Sequence, residues 1–156
     1  MLGGAMATWA EVEQQAPQLA ERVRRRFGMG VNNSIATLRR DGSPRISATE
    51  LELEHGELTL GMMGGSRKLL DVRRDARVAI HSPSIDAPTD DPAWPGDAKV
   101  AGRLVELRRE DQRYPGAGFF RLDLTEVVLT SVDEAAGLLV IESWHEGRGV
   151  ERRTRR

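Results

Sequence analysis

Residues 61–80 read GMMGGSRKLLDVRRDARVAI. Two glycines and a serine lead into adjacent cations, Arg67 and Lys68, where helical spacing of apolar residues begins. That order of residue types suits an oxyanion. Gly64 and Gly65 let the backbone come close to a ligand. Ser66 can cap the helix that follows and can also donate to an oxygen. The open N–H groups and dipole of a helix start favour negative charge. Arg67 adds a planar donor fork and Lys68 a point charge. One phosphate monoester would engage all of these features. A surface turn with a solvated Arg and Lys fits the same spacing, because short glycine-rich loops are common. Spacing alone leaves both readings open.

The elements that must position this loop can be read on either side of it. Residues 8–27 carry Trp9, Val12, Ala16, Leu19, Ala20, Val23 and Phe27 at helical spacing. Thr8 and Glu11 fit a capping box. Pro17 conflicts with one continuous helix, so a kink or two short helices is expected there, and Gly28 and Gly30 end the segment. The runs SIATL and RISATELEL are strands, with Asp41-Gly42 as a hairpin signal between them. EHGE is a second turn and LTLGMM a third strand, giving a β-meander. A short helix over 67–74 is followed by strands in ARVAIHS, AKVAGRLVEL, FFRLDLTEVVLTSV and LLVIESW, with Gly102 a bulge or a close approach. Residues 83–96 form a proline- and aspartate-rich loop in which Trp94 covers something. Six or seven strands joined mostly by hairpins predict a mainly β, antiparallel, closed or split barrel with an N-terminal helix and a short helix after the third strand. No βαβ alternation or GxGxxG supports a doubly wound dinucleotide fold.

The chain has 156 residues, the size of one domain, and 39% of them are hydrophobic. Domain boundaries are expected at 1–7 for a leader or linker, 8–145 for the barrel with its helix, and 146–156 for an arginine-rich tail. No apolar run reaches the roughly 18 residues of a spanning helix, and the first residues lack the pattern of a secretion signal. There is no cysteine, which excludes disulfides, thiol catalysis and cysteine zinc sites and suits a cytoplasmic protein. Twenty-three Lys and Arg are balanced by 24 Asp and Glu, so no global nucleic-acid signature exists. His55, His81 and His145 are far apart, and no metal-ligand spacing is present.

Two segments in order resemble the pyridoxamine 5′-phosphate oxidase-like family, the FMN-binding split barrels. These are SIATLRRDGSPRISATELELEHGELTLGM and GGSRKLLDVRRDARVAI, together residues 34–80, and AKVAGRLVEL extends the likeness. The SRK motif, the short helix and RRDARVA carry it. The resemblance implies that Arg67 and Lys68 hold a cofactor phosphate with Ser66 beside them. It implies that ring and ribityl lie along Arg45, Ile46, Ser47, Ala48, Thr49 and Glu50, with Arg45 at the phosphate side, and against Gly61 and Met62. It also implies a homodimer with the flavin at the subunit interface. The oxidase proper has a lysine where Glu50 aligns, a glutamine near Asp97 or Ala98, and an aromatic-threonine pair in place of Gly61 and Met62. Its C-terminal Arg-Leu-x-Pro pattern is replaced here by GRGVERRTRR. The phosphate anchor is kept, and the ring contacts and substrate site differ.

The implied function is an FMN-dependent oxidoreductase acting on a small substrate. One alternative is a deazaflavin-dependent reductase of the same fold. Another is a non-catalytic flavin- or haem-binding, stress-associated protein. No acid–base pair stands out as catalytic, which suits a cofactor that carries the hydride chemistry itself. His81 reads either as facing the cofactor or as a strand-end histidine. Trp94 and Trp144 read as ring-stacking or as packing. Arg148, Arg152, Arg153, Arg155 and Arg156 read as a solvated end, or as an arm reaching a neighbouring subunit's anionic ligand. No nucleic-acid or membrane partner is expected.

Overall fold

The computed structural model describes residues 6–86 and 94–156. Its helices are α1 (Trp9–Gln15), α2 (Pro17–Phe27) and α3 (Arg67–Arg74). The strands are β1 (Asn33–Leu38), β2 (Pro44–Thr49), β3 (Glu52–Glu54), β4 (Glu57–Met62), β5 (Arg77–His81), β6 (Asp97–Glu106), β7 (Gly118–Asp133), β8 (Leu138–His145) and β9 (Gly149–Arg155). Every strand pairing is antiparallel, in one sheet of order β2-β1-β5-β6-β7-β4-β3, with β8 and β9 branching from β7. The long β7 makes the branch. Its residues 118–121 pair with β4 and its residues 126–133 pair with β8.

Local chemistry accounts for the elements. Thr8 and Glu11 form the expected capping box, each satisfying a backbone N–H of the other's turn. Pro17 divides the N-terminal segment into two helices and occupies the first turn of the second, where its missing N–H is no loss. The apolar stripe of α1 and α2 is buried against the sheet, with Trp9, Val12, Leu19, Ala20, Val23 and Phe27 joining Leu58, Leu122, Leu124 and Trp144 in one core. In the β3–β4 turn both His55 (φ 53°) and Gly56 (φ 74°) are left-handed, the geometry of a tight hairpin. The sheet register shifts between Ala101 and Gly102, and a Cβ on Gly102 would lie 1.9 Å from the Asp123 carbonyl oxygen. Gly102 is thus a bulge and a close approach at once.

The described residues form nine strands where six or seven were expected. One extra strand arises because RISATELEL is two strands. β2 pairs only with β1, and β3 pairs with β4 at the other end of the sheet path. The chain turns a corner at Glu50 and Leu51. Leu51 and Leu53 pack partly against the core in phase with Arg45, Ser47 and Thr49, so the alternation of burial runs through the corner and conceals it. The meander is therefore interrupted. The other addition is β9, which pairs along β8 from Gly149 to Arg155, where the sequence read as a polar tail. Its charged residues sit on an edge, where charge blunts unwanted pairing, and they erase the period-2 apolar signal.

At the other end of the chain, Ala7 is buried and exchanges hydrogen bonds with Leu124, so the fold begins before Thr8. Of the 83–96 loop, residues 87–93 lie outside the described residues, as do 1–5 of the expected leader. The sheet does not close. β4 pairs with β3 only through residues 57–59, and among the described residues no ladder joins β2 to β4, although the two strands approach one another.

Candidate functional site

α3 separates two hollows, and the loop that opened the sequence argument starts it. Ser66 is the N-cap of α3, with extended backbone (φ −65°, ψ 147°), and its Oγ accepts from the Leu69 N–H at 3.4 Å. Gly65 is left-handed at φ 74°. Gly64 has a different reason for lacking a side chain. A Cβ there would lie 2.7 Å from the Pro115 carbonyl oxygen. The glycine loop is therefore packed against the connection between β6 and β7, residues 107–117.

The first hollow is a cleft of about 500 Å³ beside residues 60–62 of β4, beyond its pairing with β3. It takes Ala48, Thr49 and Glu50 from the end of β2, Gly61 and Met62 from β4, and Lys68 from α3. The 107–117 connection and β7 add Arg109, Asp111, Arg113, Tyr114, Ala117 and Phe119. Lys68 donates its ammonium proton to the Ala48 carbonyl oxygen, tying α3 to β2. Burial lowers the Lys68 pKa. Arg113 is paired with Asp111, and its hydrogen bonds hold that carboxyl at about 2.

The second hollow, about 790 Å³, is lined by Arg39, Arg40, Arg45, Arg67, Arg73 and Arg74 with Asp41 and Asp71. Asp71 organises it. The side chain is buried and accepts from Arg45 Nε (2.7 Å), Thr37 Oγ1 (2.8 Å) and Arg74 Nη2 (3.1 Å). Burial pushes its pKa up, but the donors from Arg45, Thr37 and Arg74 outweigh burial and hold it at about 2. Arg73 is spent on Glu106, and Arg39 on Ser43 and Pro44. Arg40 and Arg67 make no hydrogen bond or ion pair among the described residues.

The expected site residues thus divide. Ala48, Thr49, Glu50, Gly61, Met62 and Lys68 share the cleft, while Arg45 and Arg67 share the arginine hollow. Ser66 caps the helix between them. The division follows position along β2 and cuts across its pleat: Arg45, Ser47 and Thr49 lie on the more buried face and Ile46 and Ala48 on the exposed one, yet Ala48 and Thr49 both line the cleft and Arg45 the hollow. Ile46 is 78% exposed and lines neither hollow. Met62 is also a core residue, 2% exposed. His81 is a strand-end histidine whose Nδ1 lies 2.7 Å from the Ser82 carbonyl oxygen. Trp144 is core, its Nε1 donating to Gln15, and Trp94 covers the buried Arg26 guanidinium at 4.7 Å. The 107–117 wall was not foreseen. RREDQRYPGAG reads as a polar connection, and only its density of Arg and Tyr could have flagged it. Among the described residues no group of side chains could hold a metal ion, and no helix is long and apolar enough to cross a membrane.

No family model and no curated protein matches the sequence. Solved structures do match in fold. PhzG from Burkholderia lata, crystallised with tetrahydrophenazine-1-carboxylic acid, is 11% identical with a TM-score of 0.64, covering 94% of this chain and 92% of its own. A pyridoxamine 5′-phosphate oxidase-related, FMN-binding protein from Nostoc punctiforme is 12% identical with a TM-score of 0.61, covering 90% and 96%. An F420 reductase is 15% identical with a TM-score of 0.50, covering 65% and 92%. With these neighbours the chain shares its fold.

Proposed function

We propose that this chain is an oxidoreductase that binds a phosphorylated flavin-type cofactor, FMN, and acts on a small substrate as a homodimer of split barrels. The ring would lie in the cleft against Ala48, Thr49, Glu50, Gly61 and Met62. The phosphate would sit at the start of α3 with Ser66, Arg67 and Lys68, on the side of Arg45. The observation that carries this reading is Arg67. It is an exposed guanidinium at an open helix start, and among the described residues its side chain has no acid or carbonyl partner. Its neighbours Arg45, Arg73 and Arg74 are each engaged by a carboxylate. An unpaired fork beside free N–H groups is what a phosphate dianion requires. The cleft volume also falls within the range of cofactor sites. The cofactor would supply hydride or electron transfer. The residues of the chain bind and orient it.

The test is titration of the purified protein with FMN and with riboflavin, which lacks the phosphate. Replacing Arg67 and Lys68 by Ala should weaken FMN binding by about 1.5–3 kcal/mol for each charge-assisted hydrogen bond lost. Riboflavin binding should fall less than FMN binding, by the part that Lys68 contributes through its bond to the Ala48 carbonyl. A double variant that keeps wild-type FMN affinity would refute the site.

A deazaflavin coenzyme is the second reading, favoured by one observation. The arginine hollow continues past Arg67 to Arg40, whose side chain makes no hydrogen bond or ion pair among the described residues, so a cation lies beyond a single phosphate. A coenzyme with a longer anionic tail would use it. Tighter binding of such a deazaflavin than of FMN, lost on substitution of Arg40, would favour this reading over the first.

A further inference from the structure

Arg109 is the cation of the cleft that the proposed cofactor site does not use. It stands on the β6–β7 connection, in the wall of the cleft. Its guanidinium carbon lies 4.4 Å over the centroid of the Phe119 ring. Its side chain makes no hydrogen bond or ion pair among the described residues, and only its backbone N–H is engaged, by the Leu107 carbonyl at 2.9 Å. The other cations of the cleft are spent. Arg113 makes two hydrogen bonds to Asp111, at 3.0 and 2.7 Å, and Lys68 donates to the Ala48 carbonyl.

Stacking uses the face of a guanidinium and leaves its N–H groups free in the plane. The ring beneath is itself open to the cleft. Phe119 stands opposite Gly61 in the β4–β7 ladder, and a Cβ on Gly61 would come to 3.3 Å from its Cε1. A side chain at residue 61 would press on this ring. With glycine there, an apolar plane and a planar donor fork face the same space. Fork geometry matches a carboxylate in two parallel hydrogen bonds.

We propose that Arg109, held over Phe119, is the specificity-determining residue of the cleft and selects a small planar substrate bearing a carboxylate. This rests on the reading that the cleft holds a flavin-type ring, and it adds the class of molecule bound there beside the cofactor.

The test is calorimetric titration of the full chain, with and without its flavin, using benzoate and its neutral isostere benzamide. Wild type should bind benzoate at least tenfold more tightly than benzamide. Arg109→Gln should abolish that preference and leave benzamide affinity unchanged. Arg108→Gln removes the same charge from the adjacent residue, which does not line the cleft, and should keep the preference. Arg109→Lys keeps a cation but loses the fork, and should bind benzoate several-fold more weakly than wild type. Equal binding of the two probes by wild type would overturn the proposal, as would full benzoate affinity in Arg109→Gln or Arg109→Lys. Equal losses in Arg108→Gln and Arg109→Gln would overturn it too, by making the effect one of general charge. Benzoate preference without any flavin binding would refute the cofactor reading and leave the Arg109 site standing. Flavin binding without benzoate preference would do the reverse.

Discussion

Replacing Asp71 by Asn tests whether the arginine hollow is held together by one carboxylate. Asn keeps the shape and removes the charge. The Asp71 side chain is 4% exposed, and its pKa falls from 3.8 in the unfolded chain to about 2. At about 1.4 kcal/mol per unit, ionised Asp71 contributes about 2–3 kcal/mol of stability at neutral pH. Because the folded-state pKa is the lower one, that contribution is complete above the unfolded value and disappears as the pH falls through 2. About half of it remains at pH 3. For a domain of this length the substitution should lower the melting temperature by roughly 5–10 °C at pH 7. The assay is thermal unfolding of both proteins between pH 7 and pH 2. The gap between them should be widest at pH 7, about half as large at pH 3, and nearly closed at pH 2. A gap that stays constant over this range would refute the electrostatic account and leave a packing defect in its place. Arg45 and Arg74 lose the carboxylate they share, because Asn offers one neutral amide oxygen in place of two charged ones.

Two other perturbations probe the frame around the site. Gly102→Ala places a methyl group 1.9 Å from the Asp123 carbonyl oxygen, so the β6–β7 ladder must open. A loss of about 3 kcal/mol or more is expected, and an unchanged denaturant midpoint would show that the bulge is not needed. Ile46→Asp tests the homodimer. Ile46, Ala36, Ala79 and Ala101 pair in register across β2, β1, β5 and β6, a row of apolar and small side chains with Ile46 78% exposed at its end. Light scattering should show a dimer for wild type and a monomer for the variant. A monomeric wild type, or a variant that stays dimeric, would remove this row as the subunit contact.

Sequence carried the fold wherever one periodicity ran to a clean stop. Thr8, Glu11 and Pro17 marked the helix ends because capping and the missing proline N–H act within a few residues. The turns at Asp41-Gly42 and His55-Gly56 were legible because few residues accept positive φ. The corner at Glu50 and Leu51 was not, since Leu51 and Leu53 keep the phase of Arg45, Ser47 and Thr49 on the more buried face, and the one sign of a turn is that the apolar positions slip by one residue between Ala48 and Leu51. β9 was illegible for the opposite reason. Its pairing is made by backbone groups along β8 while its side chains are charged. Periodicity reports burial, and an edge strand buries too little to register.

The candidate site was legible as residues and illegible as geometry. Arg67 and Lys68 are neighbours in sequence, and resemblance assigned them one phosphate. On a helix, successive side chains diverge by about 100°, and at the first turn of α3 that angle sends Arg67 to the arginine hollow and Lys68 to the cleft. The two cations therefore cannot be equivalent. Lys68 already spans to the Ala48 carbonyl, so it fixes the distance between α3 and β2, while Arg67 keeps its donors open. Single substitutions should separate these roles. Arg67→Ala should weaken FMN and leave riboflavin unchanged, because it removes only a phosphate donor. Lys68→Ala should weaken both, because it frees the β2 wall against which the ring would rest. Equal and phosphate-specific losses from the two variants would return both residues to one anion site and would contradict the division of the hollows.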